Sequence, residues 1–482
     1  MANDRNAPIG PAGFVMVWMA AGVAAFWVAG WNGYPIIFGD TYSYLASALS
    51  GAQLNYRPSA YTVVMLLAAG TGSLWAVALL QGAVAAWLLT RFLRVAIALP
   101  AAGMVAALIA IGAVTTFGWW PVTVMTGVWC PIAALALYLL LYCWPRLGAI
   151  ERIVLFCVFG FALLVHVSYF MVFALWLVLL VGLHALGRFR IAAPRRALLG
   201  AWAAVVGAGL FFPALGLVLD RDFVPSTKPE TIVAARMIAD GLIAPTLDAR
   251  CAARRDAACA HRAALRRWAK RAPPPGPRNK WPCPCSAEGF VVWALMWDKG
   301  SPLKAIEQAP GGRAILRELI ASSIRREPLH HIAVVAGGTI DLYLNGAITP
   351  YIDGNPGNGG FLTHLLPADW PQFRTSRSAR GTLETARFNR VLDPVIWIGT
   401  VIGLGFLVLG LVRPSGIARL GPRVRGVAHA GPLLLLFCLS NAAVVYALVG
   451  DHTRYQSRIS WLVGLIPIVL IAALLDGRAR RG

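Results

Sequence analysis

Apolar stretches interrupted by short, Arg-bearing connectors recur along this chain, and they constrain its fold more than any other feature. A helix crosses the hydrocarbon of a bilayer with about 20 mostly apolar residues, within a range of about 17–25. Stretches that meet or approach this length lie near 13–31, 73–90, 95–115, 123–144, 153–167, 170–187, 197–219, 392–412, 429–449 and 460–475. The run from 153 to 187 is too long for one span. The triplet His166-Val167-Ser168 divides it, so it reads as two helices joined by a tight turn. The expected fold class is therefore an all-α polytopic membrane protein of about ten transmembrane helices with a large external, mostly helical domain. The chain is 58% hydrophobic and 13% charged, whereas soluble domains average about 45–50% and about 25%. The apolar run Phe14–Trp31 is longer than a signal-peptide core and reads as a retained span.

The net charge of +22 does not indicate a nucleic-acid partner. Most basic clusters lie between apolar runs, where orientation in a membrane accounts for them, and no RNA- or DNA-binding motif appears. If the N-terminus is cytoplasmic, sixteen of the 43 Lys and Arg fall in short inside segments and only Arg57, Arg454 and Arg458 in short outside loops. The other cations lie in 220–391, and long translocated segments are exempt from the positive-inside rule. Both termini are thus expected in the cytoplasm, the protein in the inner (plasma) membrane, and 220–391 on the periplasmic or extracellular side. Three regions follow. Residues 1–219 form an N-terminal transmembrane region with a first external loop at 32–72. Residues 220–391 form the external domain, with a Pro-rich hinge at 272–279. Residues 392–482 form a C-terminal transmembrane region.

Within the external domain, Thr231–Leu247 and Gly312–Arg326 have helical periodicity. Ile332–Ile348 is apolar but carries Asp341 and Asn345, so it reads as an interfacial or re-entrant helix. Cys130, Cys143, Cys157 and Cys438 lie in or at spans and read as small apolar fillers. Cys251, Cys259, Cys283 and Cys285 fall in the external domain and are disulfide candidates, with three connectivities open. A zinc site that combines these thiols with His261 is the competing reading.

Polar chemistry gathers in the external loops. Asp40 is the one acid of the first loop and stands after a Gly at the start of an aromatic-rich helix. It is either a cap of that helix or a general base at the lipid–water boundary. Arg454 and Arg458, four apart before the last span, suit a phosphate, or else they anchor the span at the interface. Asp451 reads as a partner for Arg454, and His166, with Ser168 and Tyr169, as a hydrogen-bonded residue of the tight turn.

These residues carry a resemblance. Gly39-Asp40-Thr41-Tyr42-Ser43-Tyr44-Leu45, followed by Tyr56-Arg57-Pro58-Ser59-Ala60-Tyr61, resembles the first external loop of GT-C glycosyltransferases. Arg454-Tyr455-Gln456-Ser457-Arg458 is similar to an Arg-Tyr element found late in such proteins. The resemblance implies sugar transfer from a polyprenyl-phosphate donor to a glycan, lipid or protein acceptor on the external face, among membrane lipids. It implies Asp40 as catalytic base and Arg454, Arg458 and Arg57 as donor-phosphate ligands, with Tyr44, Tyr61, His166, His452 and Tyr455 as accessory residues. Many GT-C proteins carry a further acid in the second external loop, where this chain has Met125-Thr126-Gly127-Val128. That departure leaves a divalent metal unsupported, and no cofactor is assigned. A lipid or polysaccharide transporter, a non-catalytic membrane assembly protein and an acyltransferase built on His166 and Ser168 are the competing functions.

Overall fold

A computed structural model describes residues 10–51, 60–220, 223, 229–270, 287–346, 348, 352 and 359–479. Among them the chain is all-α, with helices, short 3-10 turns and one isolated parallel bridge, Ile36 to Thr123. The N-terminal region contains α1 (Pro11–Asn32), α2 (Gly39–Ser50), α3 (Ala60–Thr71), α4 (Trp75–Arg91), α5 (Ala101–Val114), α6 (Trp129–Tyr142), α7 (Ala149–Leu164), α8 (Ser168–Ala185) and α9 (Arg195–Asp220). The middle holds α10 (Pro229–Ala239), α11 (Ala244–Ala253), α12 (Ala257–Ala260), α13 (Arg262–Ala269), α14 (Ala287–Trp297), α15 (Pro302–Gln308), α16 (Gly312–Arg326) and α17 (Pro328–Leu344). Three short helices, α18 (Leu362–Leu365), α19 (Trp370–Thr375) and α20 (Arg377–Arg380), lead to α21 (Thr385–Val412), α22 (Pro414–Arg419), α23 (Pro422–Val449), α24 (Arg454–Ser457) and α25 (Trp461–Ala479).

Seven helical segments are long and apolar enough to cross a membrane: Pro11–Asn32, Trp75–Ala96, Ser168–Ala185, Arg195–Val218, Thr385–Val412, Pro422–Val449 and Arg454–Asp476. Large apolar side chains lie exposed along them, among them Met19 and Val23 on α1, Leu199 and Leu210 on α9, and Val401 and Val408 on α21. Apolar exposure on this scale belongs to lipid contact rather than water. The chain is a multi-pass membrane protein. Small residues let its helices meet closely: a Cβ on Gly112 of α5 would lie 2.6 Å from the Ala24 Cα of α1.

The expected spans need several corrections. The stretch 95–115 is broken rather than continuous: a π-helical turn, Phe92–Ala96, ends the preceding helix, and α5 begins only at Ala101, after Pro100. The stretch 123–144 is helical in α6 only from Trp129. The residues before it are buried and largely irregular, with Ile36 taking a hydrogen bond from Val124 N–H at 2.8 Å and giving one to Val122 O at 3.0 Å. Thr231–Leu247 is not one helix. It breaks between α10 and α11 at Gly241, whose φ of 76° is left-handed. The turn at 165–167 does separate α7 from α8. Cys157 is exposed on α7 rather than filling a core, unlike Cys130, Cys143 and Cys438.

The middle segment builds a core of its own, in which Ala234, Ile238, Leu247, Leu295, Leu303 and Leu316 are buried. A Cys251–Cys259 disulfide joins α11 to α12, which removes those two sulfurs as zinc ligands. Cys283, Cys285 and the Pro-rich hinge lie outside the described residues. Beside the disulfide, Arg250 pairs with Asp256 at 2.6 Å and with Glu318 at 3.0 Å.

One buried carboxylate ties the late chain to the first loop. Asp369 accepts hydrogen bonds from the Tyr34 hydroxyl, from Ser73 Oγ at 2.7 Å and from the Leu74 N–H at 2.7 Å, at the entry to α4. Burial, with the carboxylate beside it, pushes the Tyr34 phenol up, so its proton stays available to donate. Asp369→Ala would orphan three donors at once. It is expected to destabilise the protein by about 2–4 kcal/mol, read as a lower thermal midpoint in detergent.

Candidate functional site

The site forms where the first loop, the segment before α6, the turn before α8 and the loop after α23 meet. Phe38 ends an extended approach, and its N–H is taken by Thr41 Oγ1 at 3.0 Å, while the Thr41 hydroxyl donates to Val124 O at 2.9 Å. Thr41, not Asp40, therefore serves the start of α2. The Asp40 carboxylate, about a quarter exposed, instead faces Arg454, with Oδ2 at 3.4 Å from Nη1. Residues more than four hundred positions apart in sequence thus meet in one place.

Tyr455 is the centre of this arrangement. The Arg454 guanidinium lies 4.8 Å from its ring and gives a hydrogen bond of 2.9 Å to its hydroxyl. The Arg458 guanidinium also lies 4.8 Å from the Tyr455 ring, and 4.9 Å from the ring of Tyr169. His452 stacks on Tyr455 with centroids 6.1 Å apart. His166 stacks on Tyr169 at 5.0 Å and meets Tyr455 edge-on at 5.8 Å. His166 Nδ1 lies 2.8 Å from the Ser168 hydroxyl and accepts the Ser168 N–H at 3.3 Å, so its proton sits on Nε2. The hydrogen-bonded turn residue expected from sequence is thus also part of the aromatic wall around the arginines.

Arg458 is the unusual member. It is 2% exposed, so its head does not reach a surface as an interfacial anchor would. Among the described residues no carboxylate lies within 4.0 Å of it, its one hydrogen bond is to Asn441 Oδ1 at 3.4 Å, and its Nε has no partner. Asn441 is fixed in turn by donating to Tyr455 O at 3.0 Å and Gln456 Oε1 at 3.1 Å, which leaves its carbonyl oxygen toward Arg458. Gly127 makes room for the aliphatic stem, since a Cβ there would lie 3.2 Å from Arg458 Cδ and 3.1 Å from Trp120. At this position the chain has a glycine, and the aliphatic part of Arg458 occupies the space a side chain would need.

Tyr44 and Tyr61 are both buried, with centroids 4.9 Å apart. The Tyr61 hydroxyl donates to Gln81, whose amide holds Pro121 O and Thr123 O, so Tyr61 supports the wall behind the site. Arg57 lies outside the described residues. Among the described residues no three His, Cys, Asp or Glu side chains converge as a metal would require. Asn441 and Gly127 were not singled out from sequence. Asn441 had a signal, as an amide in the apolar run of α23. Gly127 had none, because its role is to lack a side chain.

His452 is partly exposed but enclosed by protein, and burial, then the neighbouring Arg454 charge, pushes its imidazole down to about 4 from 6.5. The folded protein therefore keeps His452 neutral, while the unfolded chain takes up a proton as the pH falls through about 6.5. The stability this contributes is complete above about 6.5 and is lost as the pH falls toward about 4. The thermal midpoint is expected to drop through that window, and His452→Gln to flatten the drop.

No protein-family model matches this chain, and neither a curated protein nor a solved structure does.

Proposed function

We propose that the protein is a membrane glycosyltransferase of GT-C-like layout that moves a sugar from a polyprenyl-phosphate donor to an acceptor at the outer face of the inner membrane. The observation that carries this reading is the buried Arg458 guanidinium, which has no carboxylate within 4.0 Å among the described residues. Burying a cation without a counter-ion is expensive, and an anion that enters the site removes that cost. A ligand with a phosphate and an apolar tail fits a cation set in an aromatic wall at the edge of membrane helices. The guanidinium forks of Arg454 and Arg458 would take the phosphate oxygens. Asp40 would take the proton of the acceptor hydroxyl as its oxygen attacks the anomeric carbon. The anomeric carbon–phosphate oxygen bond then breaks, the electron pair leaves on the phosphate held by the arginines, and the anomeric centre inverts.

The ten-span topology belongs to the same proposal. The shorter helices α5, α6 and α7 would cross with the seven long ones, both termini would be cytoplasmic, and 220–391 would be external. The Cys251–Cys259 disulfide supports an oxidising, external side for that segment.

Intrinsic tryptophan fluorescence tests the reading by titrating the purified protein with undecaprenyl phosphate and with uncharged undecaprenol. The phosphate is expected to bind at least tenfold more tightly. Equal affinities would remove the phosphate site and leave only a membrane protein with apolar grooves.

A further inference from the structure

Behind the loop that carries His452 and Arg454 lies a second buried ion pair, supplied by the middle segment. Arg236 and Asp240, one turn apart on and just after α10, have side chains only 6% exposed and meet at 3.0 Å. Both reach across to the last turn of α23. Arg236 Nη2 donates to Ala447 O at 2.9 Å, and the Tyr446 hydroxyl donates to Asp240 Oδ1 at 3.2 Å. The carbonyls at a helix C-terminus lack intrahelical donors and carry partial negative charge, so a guanidinium is a suitable partner there. Directly after that turn, Gly450 adopts φ 77°, and a Cβ on it would lie 3.1 Å from Arg236 Cγ and 3.6 Å from Val292.

The path from this contact to the site is short and hydrogen-bonded throughout. Gly450 N–H donates to Tyr446 O, His452 N–H to Gly450 O and Tyr455 N–H to His452 O. Arg454 is therefore set by a loop that begins on the pair. Two buried charges are a poor way to glue a domain on, because apolar residues of the same volume would serve stability as well or better. What a charged pair with directed hydrogen bonds does better is fix one geometry.

We propose that Arg236 and Asp240 are positioning residues for the site: they hold the Gly450–Arg454 loop so that the Arg454 guanidinium stands where it meets the anion. This rests on the anion-binding reading of Arg454 and Arg458. The middle segment then acts on the membrane site through one buried contact rather than through a surface that touches the ligand.

The test is farnesyl phosphate binding by the full-length protein in detergent, read by tryptophan fluorescence, with thermal unfolding measured alongside. Arg236→Met/Asp240→Asn removes both charges and keeps much of the volume. It is expected to weaken binding about tenfold with little change in the unfolding midpoint, and Arg236→Lys to recover part of the loss. Gly450→Ala, which leaves both charges in place but crowds Arg236, is expected to weaken binding as well, and it decides the matter should the double variant fail to fold. Unchanged affinity in either folded variant, with Arg454→Ala weakened, overturns the positioning role alone. Unchanged affinity in Arg454→Ala overturns the anion reading, and the positioning role with it.

Discussion

Arg458→Met is expected to weaken binding of undecaprenyl phosphate severely while leaving the protein as stable as before, or more stable. The two effects have one cause. The Arg458 guanidinium is buried between Tyr169 and Tyr455 and, among the described residues, has a single hydrogen bond of 3.4 Å and an unpartnered Nε. Replacing buried charges by apolar groups of similar volume is often neutral or stabilising by about 1–4 kcal/mol. Truncating one partner of a buried charge contact costs a complex about 2–5 kcal/mol, which lowers affinity by about one and a half to three and a half orders of magnitude. Thermal unfolding and fluorescence titration of one sample read both quantities. A lower midpoint with intact affinity would mean that Arg458 is structural and that the site is not built for an anion.

Asp40→Asn is expected to stop transfer without weakening the donor complex. A positioned general base contributes about 10²–10⁴ in rate, so release of undecaprenyl phosphate from a sugar-charged donor should fall by about that factor. Donor affinity should hold or rise, because Asp40, 3.4 Å from Arg454, competes with the phosphate for that guanidinium. Asn keeps the volume and removes the charge, so the Gly39–Ser50 helix, whose entry is tied by Thr41, should be untouched. Transfer at the normal rate by a folded Asp40→Asn protein would remove Asp40 as the base.

Much of the architecture was legible because hydropathy is a local property. The apolar runs became helices, and the polar triplet at 166–168 marked the break between α7 and α8. The starts of α5 and α6 were misplaced because tertiary contacts, not composition, set them. Residues before Trp129 look apolar enough to be helix, yet Val122 and Val124 are drawn into pairing with Ile36. The meeting of Asp40 with Arg454 is something the functional reading presumes and local sequence does not dictate, since Asp451 lies nearer to Arg454 in the chain. The depth of Arg458 was not legible either, since nothing in Arg454–Arg458 distinguishes a head at the interface from one inside. Gly127 and Tyr169 decide that, and each acts through a shape that only the folded chain has.

The Asp369 contact also orders events during synthesis. Tyr34, Ser73 and the Leu74 N–H find their acceptor in a residue made 295 positions after Leu74. At about 5–20 residues per second the ribosome needs roughly 15–60 s to cover that interval. A nascent chain holds its first hairpin of helices throughout that time without the carboxylate that completes it. The three donors of the N-terminal half are therefore satisfied only when the C-terminal half arrives, and a chain stopped short of 369 lacks their acceptor.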